Sequence, residues 1–306
     1  MIIRLHRAWG AAMWSRGISS PGIALLALLV PAHGGESARA IDQESESKSD
    51  SDTFESKVGG LLQSDYIYRG ISLSKREPSV SGSVEVQRSG FYVGSDIYSV
   101  RLPTEPAAEL TFTGGVRPEW AGIKFDLAAE YFYYPGETPP AGGSATSYWQ
   151  YGISAERALP RRFTLGGTVT YSPNAWNSGA WGAYGSGALK FDVAKFRLAK
   201  GGDISWSLAG EFGHQSFGTT SQGIALPSYA HWRLGTGFKS GGVGFDLSYH
   251  DTNLSRENCF ALAGDIAAAP GGVGGRGSNP GGLQSNLCGR ALVGTLSFEL
   301  TPPKSN

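Results

Sequence analysis

Val243-Gly244-Phe245-Asp246-Leu247-Ser248-Tyr249-His250 alternates bulky apolar residues with small or polar ones at every step. A period of two puts Val243, Phe245, Leu247 and Tyr249 on one face of an extended strand and Gly244, Asp246, Ser248 and His250 on the other. The same rhythm recurs upstream. Ile204, Trp206, Leu208, Gly210 and Phe212 oppose Ser205, Ser207, Ala209, Glu211 and Gly213. Val80, Gly82, Val84 and Val86 oppose Ser81, Ser83, Glu85 and Gln87, and Ile123, Phe125, Leu127, Ala129 and Tyr131 oppose Lys124, Asp126, Ala128 and Glu130. A chain made of such segments is all-β, each strand carrying one apolar and one polar face. No stretch after the N-terminal region shows a helical period with caps, so no helix is expected there.

The pattern predicts twelve strands, over 57–69, 78–88, 91–101, 108–117, 122–134, 147–157, 163–172, 183–198, 203–216, 228–239, 243–254 and 289–300. Most reach the ~9–11 residues that a tilted strand needs to cross a bilayer. In the eighth, Leu189, Phe191 and Val193 share one parity while Phe196 and Leu198 share the other, which predicts a bulge. The connections alternate. Ser89-Gly90, 118–121, 158–162, Gly201-Gly202 and 240–242 are short; 71–77, 102–107, 135–146, 172–182, 217–227 and 255–288 are longer. Short turns at one end and long loops at the other are the plan of a bacterial outer-membrane barrel, and an even strand count returns both termini to the short-turn, periplasmic side. The expected fold is a transmembrane antiparallel up-and-down β-barrel spanning 57–300, followed by a tail, 301–306.

The first forty residues support export. Arg4, Arg7 and Arg16 precede a nine-residue apolar run, Gly22–Val30, and Ala38-Arg39-Ala40 supplies an A-x-A cleavage signal, with Ala32-His33-Gly34 as an earlier alternative. Nine helical residues span only ~14 Å against a hydrocarbon core of ~30 Å, so residues 1–40 read as a signal peptide and not as a membrane helix. Residues 41–56 (IDQESESKSDSDTFES) are acidic and Ser-rich, with too little apolar surface to fold alone. The whole chain has 26 basic and 26 acidic residues, a balance that gives no reason to expect nucleic acid as a partner.

Aromatic residues gather at predicted strand ends. Phe91, Phe163, Phe245 and Phe298 lie toward the short turns; Tyr98, Tyr131, Tyr133, Trp149, Tyr171, Tyr229 and Trp232 lie toward the long loops. Two such girdles suit the two membrane interfaces. The polar parity gathers ionisable residues that avoid lipid by pointing inward. These candidate lumen residues are Asp65, Arg69, Glu85, Asp96, Glu109, Lys124, Asp126, Glu130, Glu156, Lys190, Asp192, Glu211, His231, Arg233, Asp246, His250 and Glu299. Acids outnumber bases, which admits a mild cation preference; paired charges filling a plugged interior are the alternative. Cys259 and Cys288 are the only cysteines and fall in the longest loop, so an exported chain is expected to join them as a disulfide. No metal constellation, nucleophile elbow, zincin or phosphate-binding motif is present, and neither catalysis nor a cofactor is expected. His214, on the apolar parity near a strand end, is the one residue from which an enzyme acting on lipid would be argued.

Ser64-Asp65-Tyr66-Ile67-Tyr68-Arg69-Gly70-Ile71-Ser72 is not explained by alternation alone. It resembles the first-strand signature of the TorF-family porins of proteobacteria, as does Gly90-Phe91-Tyr92-Val93-Gly94-Ser95. Tyr133-Tyr134-Pro135-Gly136 and Tyr171-Ser172-Pro173 are similar to that family too. The resemblance implies an outer-membrane porin with no established solute and no catalytic set. Its partners would be outer-membrane lipid, the barrel-assembly machinery and a small hydrophilic solute. Asp65 and Arg69 share a parity, and ~13 Å along a strand forbids their direct pairing. Cross-strand partners are therefore expected, Glu77 or Glu85 for Arg69, with Gly70 permitting the turn that follows.

Overall fold

The computed structural model describes residues 54–300 apart from 140–143, 198–201, 266, 271–278 and 280. The expected signal peptide, nearly all of the acidic segment and the tail 301–306 lie outside the described residues. Twelve long strands follow one another: β1 Glu55–Gln63, β2 Ser79–Arg88, β3 Phe91–Tyr98, β4 Glu109–Val116, β5 Ile123–Tyr133, β6 Tyr148–Leu159, β7 Phe163–Ser172, β8 Gly182–Arg197, β9 Asp203–Phe217, β10 Tyr229–Ser240, β11 Val243–Thr252 and β12 Ala291–Leu300. Each pairs antiparallel with its sequence neighbours, and β1 also pairs with β12, Val58 opposite Leu300 and Leu62 opposite Leu296. The sheet therefore closes on itself, which removes the unpaired edge that an open sheet exposes. Among the described residues no helix is long and apolar enough to cross a membrane.

Alternation sets what faces outward. Val93, Phe112, Ile153, Val169, Phe212 and Leu234 are all about half exposed or more, on the outer face. An apolar surface that encircles the molecule is far larger than a water-facing monomer tolerates, and hydrocarbon is the solvent that suits it. Tyr133, Trp149, Tyr151 and Tyr171 form an exposed aromatic patch at the long-loop end of β5–β7, with Tyr131 and Trp149 rings 5.0 Å apart. Phe91 and Trp120 stand exposed at the short-turn end. Tyr98 and Tyr229 correct the expected girdle. Both are buried on inward parity, Tyr98 stacked on Tyr66 at 4.6 Å and Tyr229 against the loop disulfide, because a segment inside the barrel offers them a surface to cover.

The turns follow local chemistry. Ser89 and Gly90 both take positive φ between β2 and β3, as a two-residue hairpin turn requires. The predicted bulge in β8 is present: pairing with β9 slips between Asp192 and Ala194, and Arg162 Nη1 donates to the Val193 carbonyl at 2.8 Å. Helix α1, Arg256–Ala263, corrects the expectation of no helix. Its N-cap Ser255 accepts from the Asn258 amide, and Gly264 closes it in the left-handed conformation. Those two residues were the sequence signal; one short helix with a weak apolar stripe hides from periodicity.

Candidate functional site in the barrel interior

The first predicted strand ends six residues early. β1 stops at Gln63, opposite Thr295 of β12, and Ser64 takes leave of the sheet through a backbone bond to Gly294 (2.9 Å). The chain then turns inward as a small hairpin, Ile67–Tyr68 against Ile71–Ser72. Its two-residue tip, Arg69-Gly70, has positive φ at both positions (49° and 83°). Gly70 is needed twice over. A Cβ there would overlap the Thr252 methyl and stand 2.9 Å from His231 Cβ, so the tip fits against β10 and β11 only without a side chain.

Asp65 closes the base of the hairpin. Its buried carboxylate accepts from Ser72 Oγ (2.6 Å) and Ser74 Oγ (2.9 Å) and lies 3.3 Å from Arg76 Nη1. Arg76 Nη2 donates in turn to the carbonyls of Asn286 and Gly289, both at 2.8 Å, in the long loop between β11 and β12. That loop carries the Cys259–Cys288 disulfide, which joins α1 to the approach of β12. Ile71 of the hairpin is buried against both cysteines, Leu287 and Tyr229. The hairpin is thus held from below by β1 and from above by the disulfide loop.

Arg69 crosses to the opposite wall. Nη1 donates to Gln215 Oε1 (2.5 Å), and Nη2 to Gln150 Oε1 (2.8 Å) and Thr170 Oγ1 (3.0 Å). Its guanidinium carbon sits 4.7 Å from the Tyr68 ring centre and 4.2 Å from that of Tyr184. Gln150, Thr170 and Gln215 each lie two residues inside the long-loop ends of β6, β7 and β9, about 7 Å down the wall at ~3.3 Å per residue. The expected pairing of Arg69 with Glu77 or Glu85 is therefore corrected: Glu77 pairs with Arg101 (2.7 Å) and Glu85 with Arg117 (2.7 Å). The assumption of a continuous strand to residue 69 aimed Arg69 at its neighbours, whereas the hairpin carries it across the bore. Gln150, Thr170, Tyr184 and Gln215 were missed because neutral side chains on inward parity carry no charge signal.

Two cavities meet at Arg69. Toward the long loops lies one of about 260 Å³, walled by Tyr68, Tyr134, Tyr148, Trp176, Phe217 and Tyr229, with Lys75, Arg101 and Glu109 also on its lining. Toward the short turns lies a smaller one of about 80 Å³, lined by Asp65, Glu211, His231, Arg233, Asp246 and His250 among others. Tyr184 organises the boundary: its hydroxyl donates to Glu211 (2.9 Å) and lies 2.9 Å from His231 Nε2. Gly213 makes room for this pair, since a Cβ there would stand 2.5 Å from His231 Nε2 and 2.6 Å from the Tyr184 hydroxyl. Arg233 and Asp246 pair at 2.5 Å, and His250 lies 3.1 Å from Ser248 Oγ.

The remaining charged candidates sit elsewhere in the barrel. Arg117 bridges Glu85 and Asp126 (3.1 Å) with its guanidinium 3.6 Å from the Tyr92 ring centre, and the Tyr92 hydroxyl donates to Asp126 at 2.7 Å. Glu109, fully buried, accepts from the Tyr66 (3.1 Å) and Tyr134 (2.9 Å) hydroxyls; Glu130 accepts from Gln150 (2.8 Å). Asp96 is buried opposite Ser83 and Thr111, and Lys124 stands opposite Glu156 in the β5–β6 register. Lys190 pairs with Asp192 at 2.7 Å and Lys239 with Glu299 at 3.7 Å. His214 is exposed on the outer face of β9, opposite Gly185 and Ala230, so neither residue directly across from it supplies an acid or a nucleophile. Among the described residues no group of three metal-binding side chains converges.

Residues 45–267 match the model of the family described as bacterial protein of unknown function, Gcw_chp. The chain belongs to that family. The match stops inside the Cys259–Cys288 loop, so the second cysteine and β12 lie beyond it. No curated protein sequence matches the chain. Among solved structures it is similar to the NanC porin (7% identity, TM-score 0.41, covering 80% of this chain and 100% of that one). It is also similar to the COG4313 outer membrane channel from Pseudomonas putida F1 (9%, 0.34, 83% and 98%) and to LpxR from Salmonella typhimurium (10%, 0.36, 80% and 99%).

Proposed function

We propose that this family member is an outer-membrane porin that lets small hydrophilic solutes diffuse passively through a barrel narrowed by the Ser64–Ser74 segment. The observation that carries this reading is the polar interior with two cavities meeting at one arginine. An interior serving only to hold the barrel together has no need of cavities on both sides of a single side chain. The resemblance of residues 64–95 to the TorF-family porins points the same way. In this reading the short turns and both termini face the periplasm, residues 1–40 direct export, and lipid and the barrel-assembly machinery are the partners. No cofactor and no covalent chemistry take part.

Planar-bilayer recording of the refolded barrel tests it. The expected result is a discrete conductance that rises when Arg69→Ala removes the side chain joining the two cavities. A correctly folded barrel with no conductance above lipid, in wild type and Arg69→Ala alike, overturns the porin reading. That outcome favours the alternative drawn from the same hairpin, an occluded scaffold whose disulfide loop is its contact surface.

A further inference from the structure

We propose that the cavity on the long-loop side binds small organic anions whose carboxylate is carried on a single ring, with Arg69 taking the carboxylate and the aromatic wall taking the ring. The inference deepens the porin reading of the same interior by naming a solute class, and rests on that reading for its transport consequence.

Arg69 has a donor to give. A guanidinium carries five N–H groups. Three are used, on Gln215, Gln150 and Thr170. Among the described residues the Nε–H is buried without a partner, and the second Nη1–H makes no hydrogen bond and is the one left for a solute. All three acceptors are neutral, so no carboxylate of the described residues is in direct contact with the charge. Stacking between Tyr68 and Tyr184 fixes the guanidinium plane without consuming a donor. A fixed, part-buried guanidinium with a donor to spare suits carboxylate recognition, and arginine serves better than lysine because its donors form a planar fork.

The charge balance of the cavity favours an anion. Its lining carries Arg69, Lys75 and Arg101 against Glu109 and Asp265. Both carboxylates are buried and committed: Glu109 to two tyrosine hydroxyls, Asp265 to Ser285 Oγ and the Ala267 amide. Arg101 is paired with Glu77, while Lys75 makes no hydrogen bond or ion pair among the described residues. A solute entering here meets available positive charge. The excess of acids among the inward-parity residues is therefore a poor guide to this cavity, because its own acids are already occupied.

The walls set the size and shape. At about 260 Å³ the cavity lies just under the ~300 Å³ lower end of ordinary ligand pockets, which suits one ring and not several. Tyr68, Tyr134, Tyr148 and Trp176 line it with aromatic surface against which a sugar or an aromatic ring can pack. An inorganic anion would leave that surface unused.

Calorimetric titration of the refolded, detergent-solubilised full barrel tests the proposal with sodium glucuronate and sodium benzoate, using glucose and benzyl alcohol as neutral counterparts. Saturable binding of at least one acid is expected, about tenfold tighter than its neutral counterpart and weakened about tenfold by Arg69→Gln, the step expected for losing a charge-assisted pair. Preference between the two acids tells a sugar acid from an aromatic one. Equal binding of acid and neutral counterpart, undiminished binding by a folded Arg69→Gln, or no saturable binding of either acid overturns the proposal. Should Arg69→Gln not fold, the loop variant Lys75→Gln decides: weaker acid binding supports the site and unchanged binding overturns it. Acid binding without bilayer conductance keeps the site and discards the porin reading; conductance without acid binding does the reverse.

Discussion

Arg69 and Arg117 both lie inside this barrel against tyrosine rings, and their surroundings differ in kind. Arg117 sits just past β4 with Glu85, Asp126 and Gln87 around it, and both carboxylates touch its guanidinium directly. Arg69 sits at the tip of a hairpin and meets only amide and hydroxyl oxygens. A buried charge between two opposite charges is closed to further partners. A charge held by neutral groups keeps its field. The contrast separates a residue that holds β2, β4 and β5 together from one that lines two cavities.

The largest effect should come from breaking the closed cluster. Arg117→Ala leaves Glu85 and Asp126 buried without their cation, a loss of about 3–5 kcal/mol. A shift of the urea unfolding midpoint of the refolded barrel reads this directly, and a loss under about 1 kcal/mol would show the cluster to be hydrated and weak. Next is the clamp on the hairpin. Replacing Cys259 and Cys288 by serine frees a loop of sequence separation 29, which the chain-entropy model values at about 3.6 kcal/mol. Its expected signature is accelerated proteolysis within 253–290 together with noisier single-channel current. Quiet current and unchanged cleavage would mean that Arg76 and Ile71 hold the hairpin unaided.

Arg69→Gln should separate stability from selectivity. Its acceptors lie beside cavities that admit water, so about 1 kcal/mol is expected from unfolding, well below Arg117→Ala, while the reversal potential in a salt gradient moves toward cations. A stability loss as large as that of Arg117→Ala would erase the distinction between the two arginines. The smallest effect belongs to His214→Ala on the outer face, within about 0.5 kcal/mol and without change in current. Lipid hydrolysis by the wild-type barrel that disappears in His214→Ala would instead make this histidine catalytic.

Much of the architecture was legible in sequence because strand parity is a local property. Val243–His250 announces its two faces without reference to any other strand, and the parity change at Val193 announces its bulge in the same way. The two cysteines needed only their location in one loop. Arg117 closes the predicted strand 108–117 on the same parity as Glu109, yet alternation at a strand's last residue gives too weak a signal to place it in the interior. Its partners Glu85 and Asp126 were identified individually, but nothing local joins them.

What the sequence determined by itself is the barrel: twelve alternating segments, short and long connections, and a disulfide in the longest. What only the tertiary structure decided is the path of Ser64–Glu77. Locally Ser64–Arg69 reads as a strand that continues into a loop over 71–77, and by pattern alone it should have lengthened β1. Closure of the sheet and the contacts inside it settle the matter. β1 is paired on both sides only as far as Gln63. Beyond that point the chain gains partners 81 to 146 residues away in sequence for Arg69 and a seat for Ile71 against the disulfide. No window of sequence contains those contacts, because they exist only once the barrel has closed around the hairpin.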